Sequence, residues 1–269
     1  MSMTRPEHLP DFKSPPLDEV VLGVQFSPVV AYSSVHAGNV WRLFENEFPV
    51  VQEQPLLDPQ FETFGGANIQ PNIQFQIGTP PVGSRLWFVS KDDNHLLQFQ
   101  RDRFLINWRR RPQNQQYPRY EGIARKFQDS LEVLERHLSD NFSYVLDINQ
   151  AEITYINIIP VENFAEAGRW FSVWNDGVSS IEGLSSSFSE IVKDDSGSPY
   201  ARLFHEIQSV FSIDGKHKAF KLTLIFRGKP SGNDVKSALE FLSKGREAIV
   251  LRFEKITTDH AHQLWGMQK

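Results

Sequence analysis

Two apolar seams of helical period, each following a run of closely spaced alternating strands, restrict this chain more than any other feature of its sequence. Ile123, Phe127, Leu131, Leu134 and Leu138 form the first, and Val235, Leu239, Leu242, Ile249, Phe253 and Ile256 the second. A helix with so apolar a stripe has to be covered by another layer. The segments before each seam supply that layer. Val20, Leu22, Val24 and Phe26 alternate with less apolar residues and end at Pro28, as a half-buried strand does. A short helix is expected over 38–48, ended by Pro49. Strands are expected around Ile69, Ile73, Phe75 and Ile77, then over 86–89, 96–99 and 104–108, at spacings that suit antiparallel hairpins. Pro118 stands where a helix can begin without losing a hydrogen bond.

The programme then runs again. Ile153, Tyr155, Asn157 and Ile159 alternate up to Pro160, which is expected to stop the strand. Trp170, Phe171 and Trp174 suggest a short helix or aromatic plug. Strands over 187–192, 201–212 and 219–227 follow, with Gly215 in the last hairpin turn. The second seam contains Gly245, a helix-interior glycine expected to cost roughly 1 kcal/mol. Thr258 or Asp259 would cap a final short helix carrying Leu264 and Trp265. The fold class is therefore α+β: two similar halves, each an antiparallel sheet with a short helix and one long packed helix. An extended lead-in (1–16) precedes the first half (17–141) and the second (142–269), and the two can form one continuous domain. The match of 19–28 with 152–160, and of 107–112 with 225–230, suggests internal duplication.

With 269 residues, 40% of them hydrophobic and 21 of them Phe, the chain can bury a large core packed by rings. The absence of cysteine excludes disulfides, thiolate catalysis and Cys-based metal sites. No apolar run reads as a leader or a membrane span, so a soluble protein in a reduced, cytoplasmic setting is the simplest expectation. The net charge of -5 argues against a dedicated nucleic-acid binder.

No motif in the chain prescribes a reaction. Arg101, Arg103, Arg109, Arg110, Arg111 and Arg119, interleaved with Trp108, Tyr117 and Tyr120, are the one basic concentration and offer contacts to phosphates and bases. The plainer reading is a strand edge kept soluble by arginine. His260 and His262 are two apart, which does not put them on one helix face. His36, His95, His205 and His217 are isolated. Asp92-Asp93 and Asp194-Asp195 read as turns rather than cation loops. Neither a nucleophile elbow around 185–187 nor a phosphate loop at Gly65-Gly66 is present. Glu19 and Glu152 are expected to pair with Arg109 and Arg227 across strands, and Asn107 and Asn157 to be hydrogen-bonded amides.

Several stretches taken together resemble a sporadically distributed prokaryotic family of uncharacterised proteins of about this length. They are Pro15-Pro16-Leu17-Asp18-Glu19-Val20, Asn107-Trp108-Arg109, Tyr117-Pro118-Arg119-Tyr120, Tyr155-Ile156-Asn157 and Trp265-Gly266. The resemblance covers nearly the whole chain. It carries no established chemistry, and its patchy distribution implies a mobile, toxin–antitoxin or phage-defence setting. The leading expectation is thus a non-enzymatic interaction protein with a protein partner, needing no cofactor or metal. A small-molecule or nucleotide site between sheet and long helix is the alternative, with Asn107, Arg109, Tyr117, Arg119 and Tyr120 as its candidate residues. Nucleic-acid binding through 101–119 is the third.

Overall fold

The computed structural model describes residues 5–65, 84–114, 116–174, 181–212 and 214–268. After a two-residue strand β1 (Asp11–Phe12), β2 (Leu17–Phe26) leads into a 3-10 turn at Ser34–His36 and α1 (Ala37–Arg42). Strands β3 (Val50–Gln54), β4 (Arg85–Val89), β5 (His95–Gln100) and β6 (Arg103–Arg109) follow, then α2 (Arg119–Phe142). A second series follows in a similar order, with three described strands instead of four between its short and long helices. It comprises β7 (Ile148–Val161), a 3-10 turn at Phe164–Glu166 with α3 (Ala167–Trp170), β8 (Ser185–Lys193), β9 (Pro199–Phe211), β10 (Lys218–Gly228) and α4 (Val235–Ile256). The short α5 (Asp259–Leu264) and β11 (Met267–Gln268) come last, and β11 pairs with β1 to tie the two ends of the chain together.

Nine of these strands form one antiparallel sheet in the order β3-β4-β5-β6-β2-β7-β10-β9-β8. The opening strands of the two series meet at its middle, with Leu22 opposite Ile153 and Val20 opposite Tyr155. Each series then adds its last strand first, β6 beside β2 and β10 beside β7.

Both long helices lie on the same face. The Phe104 ring of β6 stacks on Phe127 of α2 with centroids 6.1 Å apart, and α4 packs on β7 and β10. Strand alternation puts Val20, Leu22, Val24, Ile106, Trp108, Ile153, Leu224 and Phe226 on that face, all of them buried. The five residues of the α2 stripe are fully buried, and each contributes roughly 1.5–3 kcal/mol of apolar burial. Asp234 caps α4 by accepting from the Ser237 N–H, and Thr258 caps α5 by accepting from the Ala261 N–H.

Two sequence expectations change. The short helix spans Ala37–Arg42 rather than reaching residue 48. Pro160 does not end β7, which continues to Val161 with Pro160 opposite Ala219. The N–H of Ile158 points away from β10, to the Pro16 carbonyl, and Pro160 shares that orientation, beyond the last β2 residue paired with β7. The donor that proline lacks would therefore have met no strand. The strand expected around 69–77 lies outside the described residues. No described helix is long and apolar enough to cross a membrane.

Gly245 has a role that helix propensity does not show. A Cβ there would stand 2.6 Å from both Ile153 Cγ2 and Phe226 Cδ1, so glycine is what lets α4 touch the sheet. Propensity alone says Gly245→Ala should stabilise α4 by about 1 kcal/mol. The packing predicts the opposite, a loss of roughly 1–3 kcal/mol from overpacking, measurable as a lower urea midpoint.

Candidate functional site

The helices leave the other face of the sheet to polar residues. Gln25, Gln98, Gln100, Asn107, Gln150, Thr154, Arg202 and Thr223 all stand on it, each less than 9% exposed. Buried polar groups have to find partners, and here they find them across strands that are remote in sequence. Register sets Gln100, Arg103, Gln25 and Gln150 side by side on β5, β6, β2 and β7. The next row carries Gln98, Leu105, Gly23, Glu152, Arg227 and Arg202.

Across these two rows lies the extended segment 55–64. Gln100 accepts from the Leu57 N–H at 3.0 Å and donates to the Leu57 carbonyl at 2.9 Å. Arg103 donates to the Asp58 carbonyl at 2.9 Å, and Gln25 accepts from the Gln60 N–H at 2.8 Å. At the far end Glu62 is driven between two arginines, its side chain 1% exposed. Arg202 Nε is 2.8 Å from Glu62 Oε2, and Arg227 Nε is 2.7 Å from Oε1. Arg227 also donates to Glu152 at 3.0 Å, the cross-strand pair that the sequence suggested.

The corresponding pair in the first series does not form. Arg109 turns to Asp93, with Nη2 2.5 Å from Oδ1, and Arg111 takes the second oxygen of Asp93 at 2.6 Å. Asp93 reaches both from the β4–β5 turn, where it holds a left-handed φ of 58°. Glu19 instead accepts from Asn107 Nδ2 at 2.6 Å. Asn107 in turn accepts from Gln98 Nε2 at 2.7 Å, and Gln98 Oε1 receives both Arg85 Nη1 at 2.6 Å and Trp87 Nε1 at 3.0 Å. A chain of aligned hydrogen bonds thus runs over four strands from a cation, Arg85, to a carboxylate, Glu19.

Charge on this face is unevenly matched. Arg85 and Arg103 form no ion pair with any described residue; their recorded bonds go to Gln98, Gln25 and the Asp58 carbonyl. Burial lowers the pKa of each guanidinium, and the charge of Arg103 lowers that of Arg85 further. Glu19 is shifted the other way: burial raises its carboxyl above the ordinary 4.5, against the Asn107 hydrogen bond and the Arg109 charge.

The five residues proposed from sequence fall on both sides of the sheet. Asn107 and Arg109 belong to the polar face. Tyr117, Arg119 and Tyr120 lie on the helix side, around a cavity of about 80 Å³ that the 5–16 lead-in roofs. There the Tyr117 and Tyr155 hydroxyls are 3.2 Å apart, and burial pushes both pKa values up. Arg246 lies over the Tyr120 ring and donates to Glu121 at 3.0 Å, while Arg119 holds Asp11 of the lead-in at 2.6 Å. The basic segment is likewise dispersed: Arg103 and Arg109 face the polar side, Arg110 donates to the Pro15 carbonyl and Arg119 to Asp11. A wider groove of about 810 Å³ separates α2 from α4, but residues such as Glu132, Arg136 and Glu240 line it from the outer surface. The polar face, with its buried amides and arginines, is the better candidate despite a smaller recess of about 30 Å³ beside Gly23.

The Asp92 and Asp194 segments are turns, each aspartate accepting from main-chain N–H groups two residues on. Among the described residues no group of three or more His, Asp or Glu is placed to hold a metal ion. Comparison of the chain with protein-family models, with curated proteins and with solved structures finds no match. The family resemblance therefore rests on its sequence motifs alone.

Sequence reasoning missed Gln25, Gln98, Gln100, Gln150, Arg103, Arg202, Arg227 and Glu62 as a set. One signal was available: the outward positions of β2, β5, β6 and β7 carry Gln25, Gln98, Gln100, Asn107, Gln150 and Thr154 and no lysine, where a solvated strand face usually carries lysine.

The shift at Glu19 sets a pH dependence with a definite sign. A carboxyl that holds its proton more tightly when folded favours the folded state below its unfolded pKa and gives that contribution up as pH rises through the folded one. Glu19→Gln should therefore gain stability relative to the unaltered protein as pH rises from 4 to 7. Urea denaturation of both at three pH values in that range checks it; a constant difference between them would contradict the assignment.

Proposed function

We propose that this is a non-catalytic interaction protein that binds a protein partner through the polar face of its sheet. One observation carries the reading: a face free of long helices is built from buried amides and arginines, with Arg85 and Arg103 in no direct ion pair among the described residues and only the more distant charges of Glu152, Asp102 and Asp58 acting on Arg103. Apolar residues would cover such a face at lower cost in folding, because a buried cation needs a compensating charge. A surface whose hydrogen-bonding groups and positive charge are completed on binding explains the choice. The described residues of this face hold one carboxylate with a raised pKa, Glu19, and neither a nucleophile–base pair nor a metal set, which favours binding over catalysis.

The same unpaired arginines favour a second reading, an anionic small molecule seated beside Arg85 and Arg103. Nucleic-acid binding through 101–119 gains less, because those arginines are split between two faces and several are already paired. The similar order of elements, with β2 and β7 in like positions at the centre, supports descent of the two series from one duplicated unit.

Native mass spectrometry of the protein isolated from its own source tests the proposal. Arg103→Ala, with its melting transition unchanged, should lose a co-purifying protein chain, its occupancy falling at least about tenfold, equivalent to ~1.4 kcal/mol. Loss of a small anion instead selects the second reading. The same complement on both proteins would remove the polar face as the binding surface.

A further inference from the structure

We infer that the polar face is a receptor for an extended acidic segment of another polypeptide, and that residues 57–64 are its built-in occupant. This rests on reading that face as a binding surface and adds what it binds. The segment is held as a bound peptide is held, mostly through its main chain. Gln100 takes the N–H and carbonyl of Leu57, Arg103 the carbonyl of Asp58, Gln25 the N–H of Gln60 and Arg202 the carbonyl of Thr63. Main-chain contacts of this kind do not depend on which residues the strand carries, so another extended strand satisfies them equally.

Two side chains of the segment are read. Glu62 fills the clamp of Arg202 and Arg227, and the Phe64 ring lies 5.4 Å from the Arg202 guanidinium carbon. Apolar anchoring is partial: Leu56, Leu57 and Phe64 are half-buried and none is fully covered. Phe61 is 57% exposed, and Pro55, Asp58, Pro59, Gln60 and Thr63 are exposed as well. A strap with no fully buried apolar side chain can leave the sheet largely by exchanging its hydrogen bonds for water. It also leaves Arg85 and Arg103 without ion pairs among the described residues. A competing strand with one acid for the Arg202–Arg227 clamp and a second in direct contact with Arg85 and Arg103, which Asp58 reaches only by its more distant charge, matches the face better than the segment now on it. The partner is thus marked by chemistry: an extended stretch with two acids several residues apart and an aromatic residue two positions after the second.

The test uses the full chain and a fluorescent peptide of residues 55–65, followed by anisotropy. A Glu62→Gln chain, whose own segment grips less well, should bind the peptide at least about tenfold more tightly than the unaltered chain, and salt should weaken the complex. A peptide carrying Glu62→Gln should bind neither. Glu62→Asp, which keeps the charge but shortens its reach, gives the same ordering should the glutamine variant not fold. Equal affinity for the two peptides, or no gain in the altered chains, overturns the inference. If the peptide fails while Arg103→Ala still loses its co-purifying partner, the face remains a binding surface and only the acidic-strand occupant is wrong.

Discussion

The pairing of β2 with β7 determines what the rest of the molecule can be. It joins two strand-and-helix series edge to edge, so the chain has one wide sheet instead of two narrow ones. Because β2 and β7 match Leu22 to Ile153 and Gln25 to Gln150, the apolar stripes of both series fall on one face and their amides and charged residues on the other. A one-residue slip would interleave them and bury neither set. The shared register also places both long helices on the same side, as the contacts of Phe104 with Phe127 and of Ile153 and Phe226 with Gly245 show. The face without long helices then extends across both series, and only on such a face can Gln100 of one and Arg227 of the other grip a single strand.

Within that frame the two series handle the same charge differently. Glu152 and Arg227 stand opposite each other and bond; Glu19 and Arg109 stand opposite each other and do not. The difference lies in the β4–β5 turn, where Asp93 in a left-handed conformation presents its carboxylate to Arg109 and Arg111 together. Two cations outcompete one for position, and Glu19 is left with the amide of Asn107. An amide stabilises a carboxylate less than a guanidinium does, so desolvation wins and the Glu19 pKa rises. In the second series Arg227 keeps Glu152 and has donors left for Glu62. The face is therefore polarised, with an acid of raised pKa toward one end and an arginine clamp toward the other.

Much of the fold was legible because helix and strand signals are local. The stripe from Ile123 to Leu138 needs only its own spacing to declare a buried face, and Asp234 and Thr258 cap helices through groups three residues away. Gly245 was visible as an anomaly, but its reason lies in Ile153 and Phe226, which no local pattern connects to it. The polar face was hidden for the same reason. Gln25 and Gln98 are single polar residues between apolar neighbours, and Gln100 and Gln150 each have one apolar neighbour, as on any half-buried strand. Only sheet order sets Gln25 beside Arg103 and Gln150. The segment 55–64 reads as a linker because Pro55 and Pro59 exclude regular structure, and its partners lie 35 to 165 residues away. Tyr117, Arg119 and Tyr120 were grouped with Asn107 and Arg109 because they are close in sequence, yet a strand end and a helix start can lie close in sequence and serve opposite faces.

The two sides of the sheet are thus closed by forces of different kinds, and the difference bears on which side can open. On the helix side, Phe127, Leu131, Leu242 and Ile249 are wholly buried, and lifting either helix exposes apolar surface that water cannot compensate. On the polar side the covering segment gives up hydrogen bonds, each worth about 0.5–1.5 kcal/mol net because water replaces them. The buried pairs of Glu62 are the exception, since removing the carboxylate leaves Arg202 without an ion pair among the described residues and Arg227 with Glu152 alone, two guanidinium groups sharing one counterion. That shortfall fixes the condition for exchange: the segment can leave at low cost only if another anion arrives as it goes. A surface closed in this way selects for its partner's charge at the moment of opening, whatever the rest of the partner's sequence.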